Sequence, residues 1–230
     1  MEHWVYTTSI LGHGVSFNMD TLITMWLSMF ILIVLALLTT RKLTMVPGKL
    51  QLIGENIVKY FNNIAKSSMG NDEAQKHIAI ILTLFMFILT ANLVGQLPWK
   101  LIHLHSGELA SPNNDINMTA AMAIVVSIYY IFYGVKRHGF KFFFKGFSID
   151  GIIITLVDAL ELFVRPFSLA LRLFANIFAG EVLVATILSM AAVAFPLPFM
   201  LFELFVALVQ ALVFTLLSTT YISMAIKEEH

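Results

Sequence analysis

The sequence contains no cysteine. Disulfide frameworks, thiolate metal sites and cysteine nucleophiles are therefore excluded, and cysteine usage says nothing about the redox compartment. Charge is also scarce, because only 12% of residues are Asp, Glu, Lys or Arg, and the 14 basic side chains balance the 14 acidic ones. A chain without net charge has no bulk attraction for nucleic acid or anionic surfaces. The positions of its few charges therefore carry the information.

Apolar residues dominate what is present. They make up 59% of the chain, and the mean hydropathy is +0.85. Both values lie outside the range of soluble globular domains and predict an integral membrane protein. Residues 1–20 carry no basic run ahead of an apolar core, so we do not expect a cleavable signal peptide.

Long apolar runs predict an all-α fold of about five membrane helices in one membrane domain. A run of about 20 apolar residues is long enough to cross the hydrocarbon core of a bilayer. The predicted segments are an external N-terminal segment (1–20), spans at 21–40, 78–97 and 118–135, an interfacial helix (50–69), an external loop (98–117), a cytoplasmic loop (136–150), and a final tilted hairpin (152–194 and 197–226).

Basic residues follow the first and third spans, at Arg41 and Lys42 and again at Lys136 and Arg137. The positive-inside rule places both of these ends in the cytoplasm. The N-terminus is then expected outside and the C-terminus inside. Between the first two spans, apolar residues recur at helical spacing among polar ones, which is typical of an amphipathic helix lying at the membrane surface.

The apolar stretch 152–194 is too long for an upright span, since a helix of that length would reach about 64 Å. It must either break into two spans or form one strongly tilted helix. No charged turn interrupts it, and Pro166 can kink a helix without ending it. The pattern favours one long oblique helix, turned at 195–198 into an antiparallel partner.

Six ionisable residues lie within the last two apolar stretches, and each costs about 2.5–3.5 kcal/mol at a helix centre. Such residues must face protein or water, so they are candidates for function. They are Asp158, Glu161, Arg165, Arg172, Glu181 and Glu203.

Helical spacing sorts these residues onto two faces. At about 100° per residue, one stripe within about 40° of Arg172 holds the residues at 158, 161, 165 and 176. Glu181 points to the opposite face, towards the last helix, where Glu203 and Gln210 share a face. The hairpin is therefore predicted to have a cationic face and a separate acidic, amide-containing seam.

Structural roles also fit several of these side chains. Pairing at i,i+3 or i,i+4 would account for the carboxylates 158 and 161 beside Arg165. Glu181 and Glu203 can hydrogen-bond each other and share one proton, and the amides of Asn92, Asn176 and Gln210 can either join helices or line a water path. The residues His103, His105 and Glu108 of the external loop fit solvated positions better than a metal site.

The segment RPFSLALRLFANIFAGE (165–181) closely resembles the signature of F-type ATP synthase subunit a, in which a lone arginine sits in the pattern S-L-x-L-R-L-F-x-N-x-x-A-G-E. The tail 208–230 resembles bacterial members, and the loop 98–119 resembles the cyanobacterial and plastid branch. The resemblance implies a stator subunit whose two offset half-channels couple ion flow to rotation of a ring of c subunits. It also implies that the tilted hairpin packs against that ring.

By this resemblance, Arg172 is the essential gate facing the ring. Asn176, Glu181, Glu203 and Gln210 match the external half-channel, although Glu203 stands where some relatives have histidine. Asp158 and Glu161 match the cytoplasmic half-channel. The implied partners are the c-subunit ring, the b-subunit stalk, the rest of the synthase and membrane lipid, with no nucleic acid, cofactor, metal or catalytic site on this chain.

Two other classes of protein fit the composition. A secondary transporter would show two repeated halves with broken helices at matching positions, and a structural scaffold would have no need of a deep arginine beside an acidic seam. The expected location is a bacterial plasma membrane, or alternatively a thylakoid membrane. The choice between H⁺ and Na⁺ depends on the c subunit and is left open.

Overall fold

The computed structural model describes residues 5–10, 13–41, 43–96, 111–142, 149–190 and 197–227. Within these ranges two antiparallel strands, β1 (Val5–Ile10) and β2 (His13–Asn18), precede the helices. The helices are α1 (Met19–Thr40), α2 (Lys49–Met69), α3 (Asn71–Gly95), α4 (Ile116–His138), α5 (Ile149–Met190) and α6 (Leu197–Ile226). Two short 3₁₀ turns, Pro112–Asn114 and Gly139–Phe142, flank α4.

Five of these helices, α1 and α3 to α6, are long and apolar enough to cross a membrane. The predicted fold class, an all-α integral membrane protein with five spans, is confirmed. The sequence analysis predicted no strand in the N-terminal segment, where β1 and β2 form. The remaining helix, α2, has an apolar and a polar side and ends at Met69, directly before Gly70, whose φ of +86° favours glycine.

Several helices begin or end beyond the apolar runs from which they were predicted, α3 and α4 most of all. α3 begins at Asn71 rather than at 78, and α4 continues to His138 rather than ending at 135. Apart from the buried Ala74, these additional residues are polar or charged. An apolar run marks only the part of a helix that lies in hydrocarbon, and the helix itself continues as long as its backbone hydrogen bonds do.

α5 is one continuous helix of 42 residues that includes Pro166. The structure therefore has one long helix in this stretch and not two spans. α6 runs antiparallel to α5, because Asn176 contacts Gln210 and Gly180 lies against Glu203, so that rising numbers on one helix meet falling numbers on the other.

α3 lies at the centre of the bundle and α1 at its edge. In the apolar window of α3, 44% of residues are buried, compared with 17% in that of α1. The core is formed by side chains from α2, α3, α4, α5 and α6, including Phe61, Ile81, Ile88, Val126, Tyr130, Leu169, Leu173, Ala211 and Phe214. Close packing around α3 fixes the positions from which α5 and α6 present their polar residues.

A polar cluster joins the start of α3 to the end of α4. Glu73 forms salt bridges with Lys76, at 2.9 Å, and with Arg137, at 3.1 Å. His77 is fully buried, and its Nδ1 lies 2.8 Å from the Tyr129 hydroxyl. These contacts hold together the end of the bundle where α3 begins and α4 ends.

Candidate ion-translocation site

The Arg172 side chain lies on the exposed side of α5. Its helical neighbour Leu173 is fully buried in the core, which fixes the rotation of α5 and turns Arg172 outward. Among the described residues, no carboxylate lies within 4.0 Å of the guanidinium of Arg172. The helix thus presents a charged side chain on a surface that is otherwise largely apolar, with Phe167 and Leu171 also exposed.

The second arginine on the same stripe is engaged within the chain. Arg165 forms a salt bridge with Glu161 one turn earlier on α5, and its guanidinium lies 5.2 Å from the centre of the Tyr221 ring. The structure therefore contains the i,i+4 pair that the spacing allowed. Asp158, three residues before Glu161, is partly exposed.

Asn176 and Gln210 join the two helices of the hairpin. The Asn176 amide Nδ2 donates to Gln210 Oε1 at 2.7 Å. Gln210 is 3% exposed, and its Nε2 has no hydrogen-bond partner in the described part of the chain. Because Asn176 is one helical turn from Arg172, this amide pair lies next to the exposed guanidinium.

Glu181 is buried on the opposite side of α5 and is held by the 112–114 turn. Its Oε1 accepts a hydrogen bond from the Ser111 backbone N–H at 3.0 Å. Its Oε2 accepts one from the side-chain amide of Asn114 at 2.8 Å. Both carboxylate oxygens therefore have a donor from the segment that precedes α4.

Glu203 lies against the backbone of α5 at Gly180. A β-carbon built at position 180 would be 2.5 Å from Glu203 Oε1 and 2.8 Å from its Cδ. Like Glu181, Glu203 is 8% exposed. Because Gly180 has no side chain, the Glu203 carboxylate lies directly against the backbone of α5, one residue before Glu181.

The 112–114 turn is itself fixed by buried contacts. The Asn113 amide donates to Asn92 Oδ1 at 2.7 Å, and the Asn92 amide donates to the Ala207 carbonyl of α6 at 3.1 Å. Ser111 lies so close to Gly95 that a β-carbon there would collide with its side chain and backbone. The turn therefore bridges α3 and α5, and Asn92 of α3 bonds in turn to α6.

Every ion-path residue predicted from the sequence lies on α5 or α6 of the hairpin. The structure places some of them in the buried seam between the helices and others on the exposed side of α5. Glu181, Glu203 and Gln210 are buried, Arg172 and Asn176 are exposed, and Glu161 is partly exposed beside Arg165. The predicted metal alternative at His103, His105 and Glu108 lies outside the described residues.

Sequence reasoning missed Ser111 and Asn114 as partners of Glu181. Their position in a polar loop gave no helical periodicity from which a contact with α5 could be predicted. The only available signal was the run of amide and carboxyl side chains at 113–115, directly before a span, which is an unusual density of polar groups at the membrane boundary.

Chemically, this arrangement provides a permanent cation on one surface and two buried carboxylates between α5 and α6. A guanidinium remains charged in proteins, so it attracts any carboxylate that approaches the exposed surface. Buried carboxylates with amide neighbours can gain and lose protons if water reaches them. Neither group requires a cofactor to do so.

Comparison with known proteins identifies the family. The ATP synthase A chain family model matches residues 22–223. ATP synthase subunit a of Gloeobacter violaceus is 39% identical over 209 residues, which cover 91% of this chain and 84% of that protein. The chain therefore belongs to the ATP synthase subunit a family and is a multi-pass subunit of the membrane sector of that complex.

Proposed function

We propose that this chain is the stator ion-channel subunit that couples transmembrane ion flow to rotation of the c ring. The observation that carries the proposal is the exposed guanidinium of Arg172, which has no carboxylate partner among the described residues. An arginine on an apolar membrane surface needs an anionic partner, because leaving it unpaired in hydrocarbon costs several kcal/mol. A carboxylate on a neighbouring rotor subunit meets this need.

Arg172 acts as a gate between two half-channels. In a medium of low dielectric constant, its positive charge strongly favours the ionised form of any carboxylate that approaches. A rotor carboxylate must therefore release its ion before it passes Arg172. After passing, it takes up an ion from the other half-channel, becomes neutral and can rotate into lipid.

The external half-channel runs through the buried seam of the hairpin. Glu181 and Glu203 are its relay groups, and Asn176 with Gln210 forms its inner end beside Arg172. The buried Gln210 Nε2 without a described partner supports this path, because a buried donor of this kind is normally satisfied by water. The proximity of the amide pair to Arg172 brings the path to the surface where the rotor carboxylate arrives.

The cytoplasmic half-channel lies at the other end of α5, near Asp158 and Glu161. The basic residues after α1 and in the last turn of α4, Lys136 and Arg137, orient that end towards the cytoplasm by the positive-inside rule. The N-terminus is then outside and the C-terminus inside, in a bacterial plasma membrane or a thylakoid membrane. The choice of H⁺ or Na⁺ rests with the c subunit.

The c ring contacts the exposed side of α5, and the b-subunit stalk holds this chain stationary against it. Each ion moved down a potential of 100 mV supplies about 2.3 kcal/mol. Several ions per turn supply the work of ATP synthesis in the soluble head, where the catalysis takes place. This chain contributes the ion path and no catalytic residue.

The proposal is tested by replacing Arg172 with alanine in the complete synthase reconstituted into vesicles. We expect Arg172→Ala to abolish ATP-driven ion pumping and to allow passive leak through the membrane sector, because nothing then separates the half-channels. Arg41→Ala, a change at an exposed arginine just after α1, is the matched control and should pump at the parental rate. Coupled pumping at the parental rate in Arg172→Ala would refute the gate.

A further inference from the structure

We infer that Asn114 is a positioning residue for the Glu181 carboxylate, and that the 112–114 turn sets the geometry of the external half-channel at this group. The inference rests on the proposed function, because it concerns how the relay carboxylate is held. Neither Asn114 nor Ser111 belongs to the hairpin that carries the other candidate residues.

The contacts to Glu181 fix both oxygens of its carboxylate. The Ser111 backbone N–H reaches Oε1 at 3.0 Å and the Asn114 amide reaches Oε2 at 2.8 Å, and both are donors in these contacts. Hydrogen bonds from N–H groups to a carboxylate are about twice as strong as those between neutral groups. Two such bonds determine the plane of the carboxylate, whereas the Glu side chain alone would leave it free to rotate about its last torsion.

The donors are themselves immobilised. Ser111, Asn113 and Asn114 are each 7% exposed or less. Asn113 is bonded to Asn92, which is bonded in turn to the Ala207 carbonyl, four residues after Glu203 on α6. Through Asn113 and Asn92, the position of Glu181 is therefore coupled to α3 and to the part of α6 near Glu203, as well as to α5 itself.

A carboxylate that relays protons must be held in a fixed position. Proton transfer between positioned groups depends on heavy-atom distances of about 2.6–3.2 Å, and small misplacements lower the rate steeply. A purely structural contact between Asn114 and Glu181 would instead lower the stability of the bundle and leave the rate per assembled complex unchanged. A positioning role therefore predicts a lower pumping rate per assembled complex, whereas a purely structural role predicts a less stable bundle with an unchanged rate per complex.

The test is a double-mutant cycle on the complete synthase in vesicles. The variants are Asn114→Leu, Glu181→Gln and the combination of the two. The measured quantity is the initial rate of ATP-driven pumping per assembled complex. Asn117→Leu is the matched control, because Asn117 is an exposed amide three residues away that bonds Asp115 and not Glu181.

We expect Asn114→Leu to slow pumping about tenfold, which corresponds to the loss of one charge-assisted hydrogen bond. In the Glu181→Gln background the same substitution should cause little further loss, because Asn114 acts through Glu181. The control should pump at the parental rate.

Asn114→Ala is a second variant that keeps the inference testable if Asn114→Leu does not assemble. It removes the same amide donor to Glu181 Oε2 and adds no bulk to the buried turn. The same slowing, and the same lack of further loss with Glu181→Gln, is expected.

The outcomes separate the inference from the proposed function. If Glu181→Gln slows pumping but Asn114→Leu does not, or if the two losses multiply in the double variant, the positioning role is overturned and the relay at Glu181 stands. If Glu181→Gln itself pumps at the parental rate across pH, the relay fails, and the positioning role fails with it.

Discussion

At the scale of single residues, the two arginines of α5 show how environment separates identical side chains. Arg165 and Arg172 lie seven positions apart and share one stripe of the helix. Arg165 is paired with Glu161 and lies over the Tyr221 ring, whereas Arg172 has neither kind of contact among the described residues. Only the second arginine is available to a group on another subunit.

Glu161 is already paired with Arg165, so its proposed part in the cytoplasmic half-channel needs a test of its own. We expect Glu161→Gln to slow pumping at least about tenfold, because positioned proton transfer contributes about 10²–10⁴-fold to a rate. The glutamine keeps a carbonyl oxygen that accepts from Arg165, and the ring of Tyr221 still supports the guanidinium, so assembly should be preserved. The initial pumping rate per assembled complex is the measurement.

Glu55→Gln is the control for this prediction. Glu55 also has a partner one turn away on its own helix, accepting from Gln51 Nε2 at 2.7 Å, but it lies on α2 and not on the hairpin. It should pump at the parental rate. Should Glu161→Gln also do so, Glu161 would be only the structural partner of Arg165.

At the scale of secondary-structure elements, the close approach of α5 and α6 depends on a glycine. The Glu203 side chain occupies the space that a side chain at Gly180 would fill. The seam between the helices thus combines a small residue on one helix with a large polar residue on the other. This combination brings a carboxylate next to the opposing backbone without separating the helices.

Gly180→Ala tests this arrangement. We expect the added methyl group to displace the Glu203 side chain, since its Oε1, Cδ and Cγ all lie within 3.0 Å of the new β-carbon. Pumping should fall severalfold while the amount of assembled complex stays near the parental level, because a side chain moves more easily than a packed helix. Both quantities are measured on the same vesicles.

Gly48→Ala is the matched control at this scale, because a β-carbon at position 48 has no atom within 4 Å. An unchanged pumping rate in Gly180→Ala would show that the exact place of Glu203 is immaterial to ion transfer.

At the scale of the whole molecule, the bundle is organised around α3, with α1 at one edge and the exposed surface of α5 carrying Arg172. The charged cluster of Glu73, Lys76 and Arg137 lies at one end of the bundle. The 112–114 turn lies at the opposite end of α3 and α4. By the positive-inside rule, we expect the end that carries the charged cluster to face the cytoplasm.

The orientation can be measured directly because the chain has no cysteine of its own. We expect Lys227→Cys, after α6, to react with a membrane-impermeant maleimide in inside-out vesicles and not in intact cells. Asn117→Cys, at the start of α4, should react in intact cells. Both positions are exposed, so access to the thiol depends on the side of the membrane. The reverse pattern would invert the topology and exchange the two half-channels.

Much of this protein follows from its sequence alone. Apolar run lengths determine the five spans, because about 20 apolar residues in a helix cross the hydrocarbon core with every backbone group bonded inside the segment. Helical spacing separates Arg172 from Glu181 on α5, because a helix fixes the angle between any two of its residues. The sequence motif around Arg172 also led to the family, which the comparisons confirm.

Contacts between distant segments were decided only by the tertiary structure. Glu181 bonds a turn about 70 residues earlier in the chain, and Asn92 bonds a carbonyl 115 residues later. Such contacts depend on how helices pack and rotate against each other, and a pattern within one helix carries no information about them. The Arg165–Glu161 pair is instead a local i,i+4 contact that the spacing already allowed, whereas the outward position of Arg172 depends on how Leu173 packs into the core.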